Sequence, residues 1–509
     1  MIGYEKNKLI IHIGTPKTGT TAIQQFLSEN ELLLNEVGFS YPTIQKAKFK
    51  YINGSILDDY IINGYVDKKN MRWKAFWKDT KSLLQDRHII ISWESIFLFY
   101  NLNDFLSAVK DEYENICVIV YLRRQDQYVE SLWNQLIKSY FCNKIPFYQW
   151  VSSVLLNYKE NLDTIAQVIR KENLIVRVYE KAQFQGKRKN LISDFLYALH
   201  IELDWNKCTF PEGNNNPALF GNFVEIKRRI NQYLEPESEL SRDIEGVFYY
   251  YFIQSFALVK HAEGMFSPKE REDFMKQYEE ENAEIAREYL GRKDGILFYE
   301  NKPIPMHHLD DVTLRDNIKQ IFIKFFEPWK GYMAIRREDI FDIAVTSSEQ
   351  VDLTLNSILE ELDGIPEASG EIFEQKCFAV LDKYVPFLVK IYGEKFQYDK
   401  SIASYFQKKS AGKKIYYMGS GGYGYTLIDR TKFQLQPEAV LDNDLKKQGQ
   451  TLMDIEILHP SQITNWNDCF VIIAVKKPDV IAAMEQQLQG YGLKKDMDYL
   501  IGPEYLSDL

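Results

Sequence analysis

The sequence predicts an α/β fold: a parallel sheet flanked by helices, a helical middle region, and a second, smaller α/β unit at the C-terminal end. Three observations carry this. Four short apolar runs alternate with amphipathic stretches in the first 180 positions; a glycine-bearing loop joins the first run to a helix; and the strand, glycine loop and helix recur after residue 414. Alternating strands and helices imply a parallel sheet. Apolar runs without alternation suit strands covered on both faces.

The first run, Lys8 to Ile13 (KLIIHI), is rich in isoleucine and enters a Gly/Pro/Thr loop, after which Ala22 to Leu27 has helical spacing. His88 to Ser92 (HIIIS), Ile116 to Leu122 (ICVIVYL) and Leu174 to Tyr179 (LIVRVY) read as three further strands, with a helix over Tyr128 to Ile137 between them. From about Asn216 to Tyr299 the pattern is helical. Ser267-Pro268-Lys269-Glu270 reads as a helix start, with Ser267 as N-cap and the helix running to Gly291. Residues 303–408 also read as helical, and Gln407 to Lys414 (QKKSAGKK) as a polar linker. Beyond it, Lys414 to Met418, Ala439 to Asp442 and Phe470 to Val475 are strand-like. The expected division is therefore 1–300, 301–410 and 411–509, in keeping with roughly 100–200 residues per domain.

Composition excludes several classes. A net charge of −10 speaks against a nucleic-acid partner. The five cysteines (Cys117, Cys142, Cys208, Cys377, Cys469) form no C-x-x-C pair, so no metal is expected, and a reducing compartment is the simplest reading. The opening Met1-Ile2-Gly3-Tyr4-Glu5-Lys6 lacks a signal-peptide layout, and no apolar run approaches the ~20 residues of a membrane span. The expectation is a cytoplasmic protein.

The N-terminal loop carries the chemistry. A strand running through a glycine loop into a helix makes an anion site, because backbone N–H groups and the positive helix end face the ligand. Here the loop Thr15-Pro16-Lys17-Thr18-Gly19-Thr20-Thr21 adds a lysine and hydroxyls. Gly14 and Gly19 have the spacing of the ATPase loop G-x-x-x-x-G-K-[ST], yet Thr20 follows Gly19 and the lysine lies inside the loop, at 17. This P-loop-type sheet thus lacks the lysine position of a nucleoside triphosphatase.

Pro16-Lys17-Thr18-Gly19-Thr20-Thr21 resembles the 5′-phosphosulfate loop of the sulfotransferase family, whose donor is 3′-phosphoadenosine 5′-phosphosulfate (PAPS). In that family an arginine ending a core strand and a serine eight positions later hold the 3′-phosphate. Here the run ICVIVYL leads into Arg123-Arg124, and Ser131 lies eight positions after Arg123. Asn173 to Glu180, Phe184, Asp194-Phe195-Leu196 and Phe266 to Leu290 resemble further bacterial sulfotransferase regions, so the likeness spans about residues 8–300. It implies PAPS as cofactor, bound by Pro16, Lys17, Thr18, Gly19, Thr20 and Thr21, the last four on the 5′-phosphate, and by Arg123 and Ser131 on the 3′-phosphate. Lys17 would stabilise charge on the leaving oxygen. Two residues are candidates for the general base that the acceptor hydroxyl needs: Glu94, after the strand HIIIS, and His12, within the first strand. Trp93 is a candidate for stacking on adenine or sugar, or for the core. The likeness points to a carbohydrate or glycolipid acceptor; an ATP-dependent kinase and a non-enzymatic nucleotide-binding protein are the alternatives.

Gly419-x-Gly421-x-x-Gly424 follows a strand and opens a helix, with Asp442 ending the next strand. That is the context of a dinucleotide fingerprint. With Leu441-Asp442-Asn443-Asp444 and Ile457-Leu458-His459-Pro460, the unit resembles small Rossmann-like domains of sugar-modifying enzymes. A nucleotide or nucleotide sugar is the implied ligand, against a retained scaffold with none.

Overall fold

The computed structural model describes residues 7–42, 53, 61–62, 65–66, 71–94, 97, 101–211, 218–219, 222–249, 251, 264–300, 313–327, 329, 346–367, 370–432 and 434–506. The chain divides into two compact units. The first comprises Met1–Lys138, Asn143–Val224 and Phe252–His307; the second comprises Ser139–Cys142, Glu225–Tyr251 and His308–Leu509.

In the first unit, five strands form one sheet: β1 (Leu9–His12), β2 (Phe39–Ser40), β3 (His88–Ser92), β4 (Ile116–Leu122) and β5 (Leu174–Val178), in the order β2-β3-β1-β4-β5. All pairings are parallel. Every residue of β1 and β4 is buried, which is why these strands read as unbroken apolar runs, whereas the edge strand β5 alternates buried and half-buried positions. Ile10, Ile90, Ile119 and Tyr121 pack with Ile23 and Phe26 of α1 (Thr20–Glu29) and with Phe195. Because the strands run the same way, their carboxyl ends lie at one edge, and the loops at 13–19, 93–94, 123–124 and 179 gather there.

α2 (Gln125–Lys138) follows β4, α3 (Tyr158–Ile169) precedes β5, and α4 (Leu191–Ala198) comes after it. The helix start at Ser267 has the expected form, with a full capping box to Glu270 and Pro268 in the first turn. The expected single helix is two, α5 (Pro268–Lys276) and α6 (Glu279–Leu290), the second closed by Gly291 in the left-handed region. α2 is pinned from that side: the Arg271 guanidinium, itself buried, meets Asp126 at 2.7 Å and Glu130 at 2.8 Å, while Gln125 and Asn282 exchange side-chain hydrogen bonds.

The second unit holds helices α7 (Thr313–Phe326), α8 (Ser348–Asp363) and the 40-residue α9 (Glu371–Ser410). The first half of the polar linker expected at Gln407 to Lys414 is helix: Gln407 to Ser410 form the last turn of α9, which ends at Ala411 and Gly412, both with positive φ. Lysine, glutamine and serine tolerate a helix, and the buried Ile402, Phe406 and Ser410 seat that face. A second sheet follows: β6 (Lys414–Met418), β7 (Ala439–Leu441), β8 (Thr451–Leu452), β9 (Ile455–Leu458), β10 (Cys469–Ile473) and β11 (Tyr499–Ile501), in the order β8-β9-β7-β6-β10-β11. Only β8 pairs antiparallel. The five parallel strands therefore have the order third, second, first, fourth, fifth, which is that of a Rossmann sheet. Among the described residues no helix is long and apolar enough to cross a membrane, and no group of three His, Cys, Asp or Glu could hold a metal.

Candidate functional site

The loop after β1 is an extension of the sheet that then turns sharply. Ile13 and Thr15 donate their N–H groups to Ile119 and Tyr121 of β4 at 3.1 and 3.0 Å, and Tyr121 donates back to Gly14 at 2.7 Å. Thr15 Oγ1 donates to the Tyr121 carbonyl at 3.1 Å and Thr18 Oγ1 to the Thr15 carbonyl at 2.6 Å. These bonds shape the turn internally. Gly14 has φ 94°, and a Cβ there would lie 2.9 Å from the Glu94 carbonyl oxygen. Glycine is what lets the two loops touch. Gly19, at φ 74°, starts α1, and the N–H groups of Ala22 and Ile23 both turn back to its carbonyl. Among the described residues none of the five backbone N–H groups from Lys17 to Thr21 donates to a protein acceptor. Five consecutive N–H groups and a helix N-terminus at one turn are thus left without a protein acceptor.

Side chains from three other loops converge on it. Arg123, at the end of β4, donates Nη1 to the Lys17 carbonyl at 2.7 Å, and its guanidinium lies 5.7 Å from the centre of the Tyr179 ring. Its buried Nε has no protein partner. Lys17 has φ 65° and directs Nζ to Gln135 Oε1 on α2, at 3.2 Å. Burial lowers its pKa to about 8; Glu94 opposes that shift and Arg123 adds to it. Thr20 donates its hydroxyl to the Glu94 carboxylate. Burial pushes the Glu94 pKa up, against the pull of Thr20 and Lys17. Lys17, Thr20, Glu94 and Arg123 therefore come together. Ser131 is half-buried on α2, one helical turn before Gln135 and so on the same face. Thr21 is half-buried in the first turn of α1, and Pro16 is buried in the turn.

His12 is enclosed by the core. Nδ1 lies 2.8 Å from Ser92 Oγ, which also accepts from Gln24 at 3.0 Å, and the ring packs edge-on against Phe195 and Tyr121. Burial lowers its pKa to about 3, so it stays neutral. Trp93 is likewise buried, edge-on to Phe105 at 5.4 Å.

A pocket of about 340 Å³ lies on the Tyr179 side, with Arg124, Gln127, Tyr179, Phe184, Lys189 and Phe298 in its wall. Tyr179 connects it to the loop, since a Cβ on Gly19 would sit 3.5 Å from its ring. Gln135 and Tyr179 are contributors that sequence reasoning missed. Tyr179 had a signal, an aromatic residue closing an apolar parallel strand; Gln135 had none, because only tertiary packing brings it to Lys17.

In the second unit the three fingerprint glycines have distinct roles. Gly419 has φ 117° and a Cβ would strike the Ala474 carbonyl oxygen at 2.9 Å; on Gly424 it would lie 2.1 Å from the Gly419 oxygen; on Gly421 it would meet nothing within 4 Å. The first makes the turn, the third seats α10 (Gly422–Thr431) on the sheet, and the second leaves the backbone open. Asp442 accepts from the Ser420 N–H and hydroxyl and from Lys447, at 3.1 Å, on one oxygen, and from the Asp444 N–H on the other. Burial alone would raise its pKa, but these bonds hold it below the usual carboxylate value.

No family model matches the chain. A stretch of 298 residues is 29% identical to an uncharacterized protein of Archaeoglobus fulgidus, covering 56% of this chain and 73% of that protein. Among solved structures, a sulfotransferase from Alicyclobacillus acidocaldarius aligns with 40% of this chain and 87% of its own, at 12% identity and a TM-score of 0.28. Likenesses of this depth leave function to be argued from the site's own geometry.

Proposed function

We propose that the chain is a sulfotransferase that moves a sulfuryl group from PAPS to a hydroxyl of a carbohydrate, such as a capsule, exopolysaccharide or glycolipid precursor, in the cytoplasm. The observation that carries this reading is the meeting of Lys17, Arg123 and five open backbone donors at one turn. A donor with phosphate at both ends of its ribose needs a partner for each; Lys17 would serve one, and Arg123, reaching past the same turn, would serve the other with the Ser131 hydroxyl.

Placement supports the following roles. The amides of Lys17 to Thr21, with the hydroxyls of Thr20 and Thr21, would bind the 5′-phosphate. Arg123 and Ser131 would take the 3′-phosphate, and the pocket beside Tyr179 offers aromatic walls to the base. The acceptor oxygen would attack sulfur as the bond from sulfur to the bridging 5′-phosphate oxygen breaks, and Glu94 would take the acceptor proton. Lys17 would neutralise charge on the departing oxygen, a preorganised contribution typically worth about 10²–10³ in rate. His12, buried and neutral, is better suited to holding Ser92 than to taking that proton.

The test follows radiolabelled sulfate from PAPS into polysaccharide and glycolipid fractions. Lys17→Met should cut transfer by at least ~10²-fold while adenosine 3′,5′-bisphosphate still binds. Transfer of phosphate from ATP, with no preference for a 3′-phosphate, would replace this reading by a kinase. In the second unit, the open Gly421 backbone supports a nucleotide or nucleotide-sugar ligand, which titration of such compounds into the full chain examines.

A further inference from the structure

Lys17 is held at both ends. Its carbonyl accepts from Arg123 at 2.7 Å, which fixes a residue whose φ of 65° is unfavourable for a side chain bearing a Cβ. Its ammonium donates to Gln135 Oε1 at 3.2 Å. Between these points lies a four-carbon stem with about 2 kcal/mol of rotamer entropy, which in water would spread the charge over many positions. A cation that must meet charge developing on one oxygen works best when already aimed.

We propose that Gln135 is a positioning residue: its side-chain oxygen holds the Lys17 ammonium in place for the transferring group. The helix carrying it is itself fixed, by Arg271 to Asp126 and Glu130 and by the Gln125–Asn282 exchange. Gln135 lies one turn beyond Ser131 on α2, so one helical face would read the 3′-phosphate and aim the lysine. An amide oxygen also orients without adding charge. The charged groups acting on Lys17 are Glu94, from the loop after β3, and Arg123, from the end of β4. A neutral partner leaves their balance, and the lowered pKa of about 8, intact.

The functional consequence rests on the sulfuryl-transfer reading; the pair itself does not, and the experiment separates them. In the full chain, Lys17 is acetylated competitively with acetic anhydride over a range of pH and quantified by mass spectrometry, beside kcat and KM for PAPS. Gln135→Leu should lower kcat about 3- to 10-fold, the loss of one hydrogen bond, with the KM for PAPS unchanged. Gln135→Glu still accepts the bond and adds a negative charge. In this variant both the acetylation midpoint and the alkaline limb of the rate profile should move above about 8. A midpoint that stays put in the folded Glu variant, or wild-type kcat in the Leu variant, overturns the proposal. Should wild-type protein transfer no sulfuryl group while the midpoint still moves, the pair stands and the functional reading falls.

Discussion

Gly14→Ala is the sharpest perturbation of the site. The substitution adds one carbon at φ 94°, where it would lie 2.9 Å from the Glu94 carbonyl oxygen, 2.9 Å from Pro16 N and 3.2 Å from Glu94 Cα. All three neighbours are backbone, so no side chain can rotate away. The left-handed conformation costs a residue with a Cβ roughly 1–2 kcal/mol, and forcing a carbon into a packed site adds about 1–3 kcal/mol. The expected loss is therefore about 2–5 kcal/mol. It should be local to the first unit, since Gly14 bonds to β4. Urea unfolding gives the total, and hydrogen exchange on peptides covering Leu9–His12 and Ile116–Leu122 shows whether the loss sits in that sheet. Transfer should fall as well, because relief of the clash pushes Glu94 away from Thr20. A change below ~1 kcal/mol with unaltered exchange would mean that the two loops do not need the contact, and that reasoning from it fails.

Two further outcomes follow. At pH 8.5 Lys17 is mostly neutral in the free protein, given a pKa of about 8, and a bound phosphate dianion favours the charged form. Binding of adenosine 3′,5′-bisphosphate should then take up a proton, seen as a dependence of the calorimetric enthalpy on buffer, and affinity should fall as pH rises through 8; Lys17→Met should remove both effects. In the second unit, Gly424→Ala should destabilise by ~1–3 kcal/mol because its Cβ would meet the Gly419 oxygen at 2.1 Å, whereas Gly421→Ala, at φ −79° in open space, should stay within ~0.5 kcal/mol. Equal effects on thermal unfolding would refute that division of roles.

Two buried strands were legible to the residue, while Leu9–His12 and Cys469–Ile473 differ by a residue or two from the runs Lys8 to Ile13 and Phe470 to Val475. His88–Ser92 and Ile116–Leu122 have the bounds their apolar runs imply, because the core selects the same residue type at every position. The meeting of Lys17, Glu94 and Arg123 was legible in part, since parallel strands bring their carboxyl ends to one edge. What composition hid was whatever depends on packing at a distance. Gln407 to Ser410 look like a linker and are helix, because their neighbours Ile402 and Phe406 find a core. Asp442 has the position of a ribose reader, and only the fold shows that Ser420, Asp444 and Lys447 also bond to it. Gln135 is an ordinary helical glutamine until the fold lays it against Lys17.

The open amides between Lys17 and Thr21 bear on how freely this loop can vary. A donor made of backbone survives any side-chain replacement except proline. Drift at Thr21 should therefore erode the anion cradle slowly, while Gly14 and Gly19, both at positive φ, give the backbone its path and resist exchange. Across distant descendants the loop should keep its glycines and its lysine long after its threonines have been exchanged. The grip on an anion is inherited as a shape of the main chain more than as a string of letters.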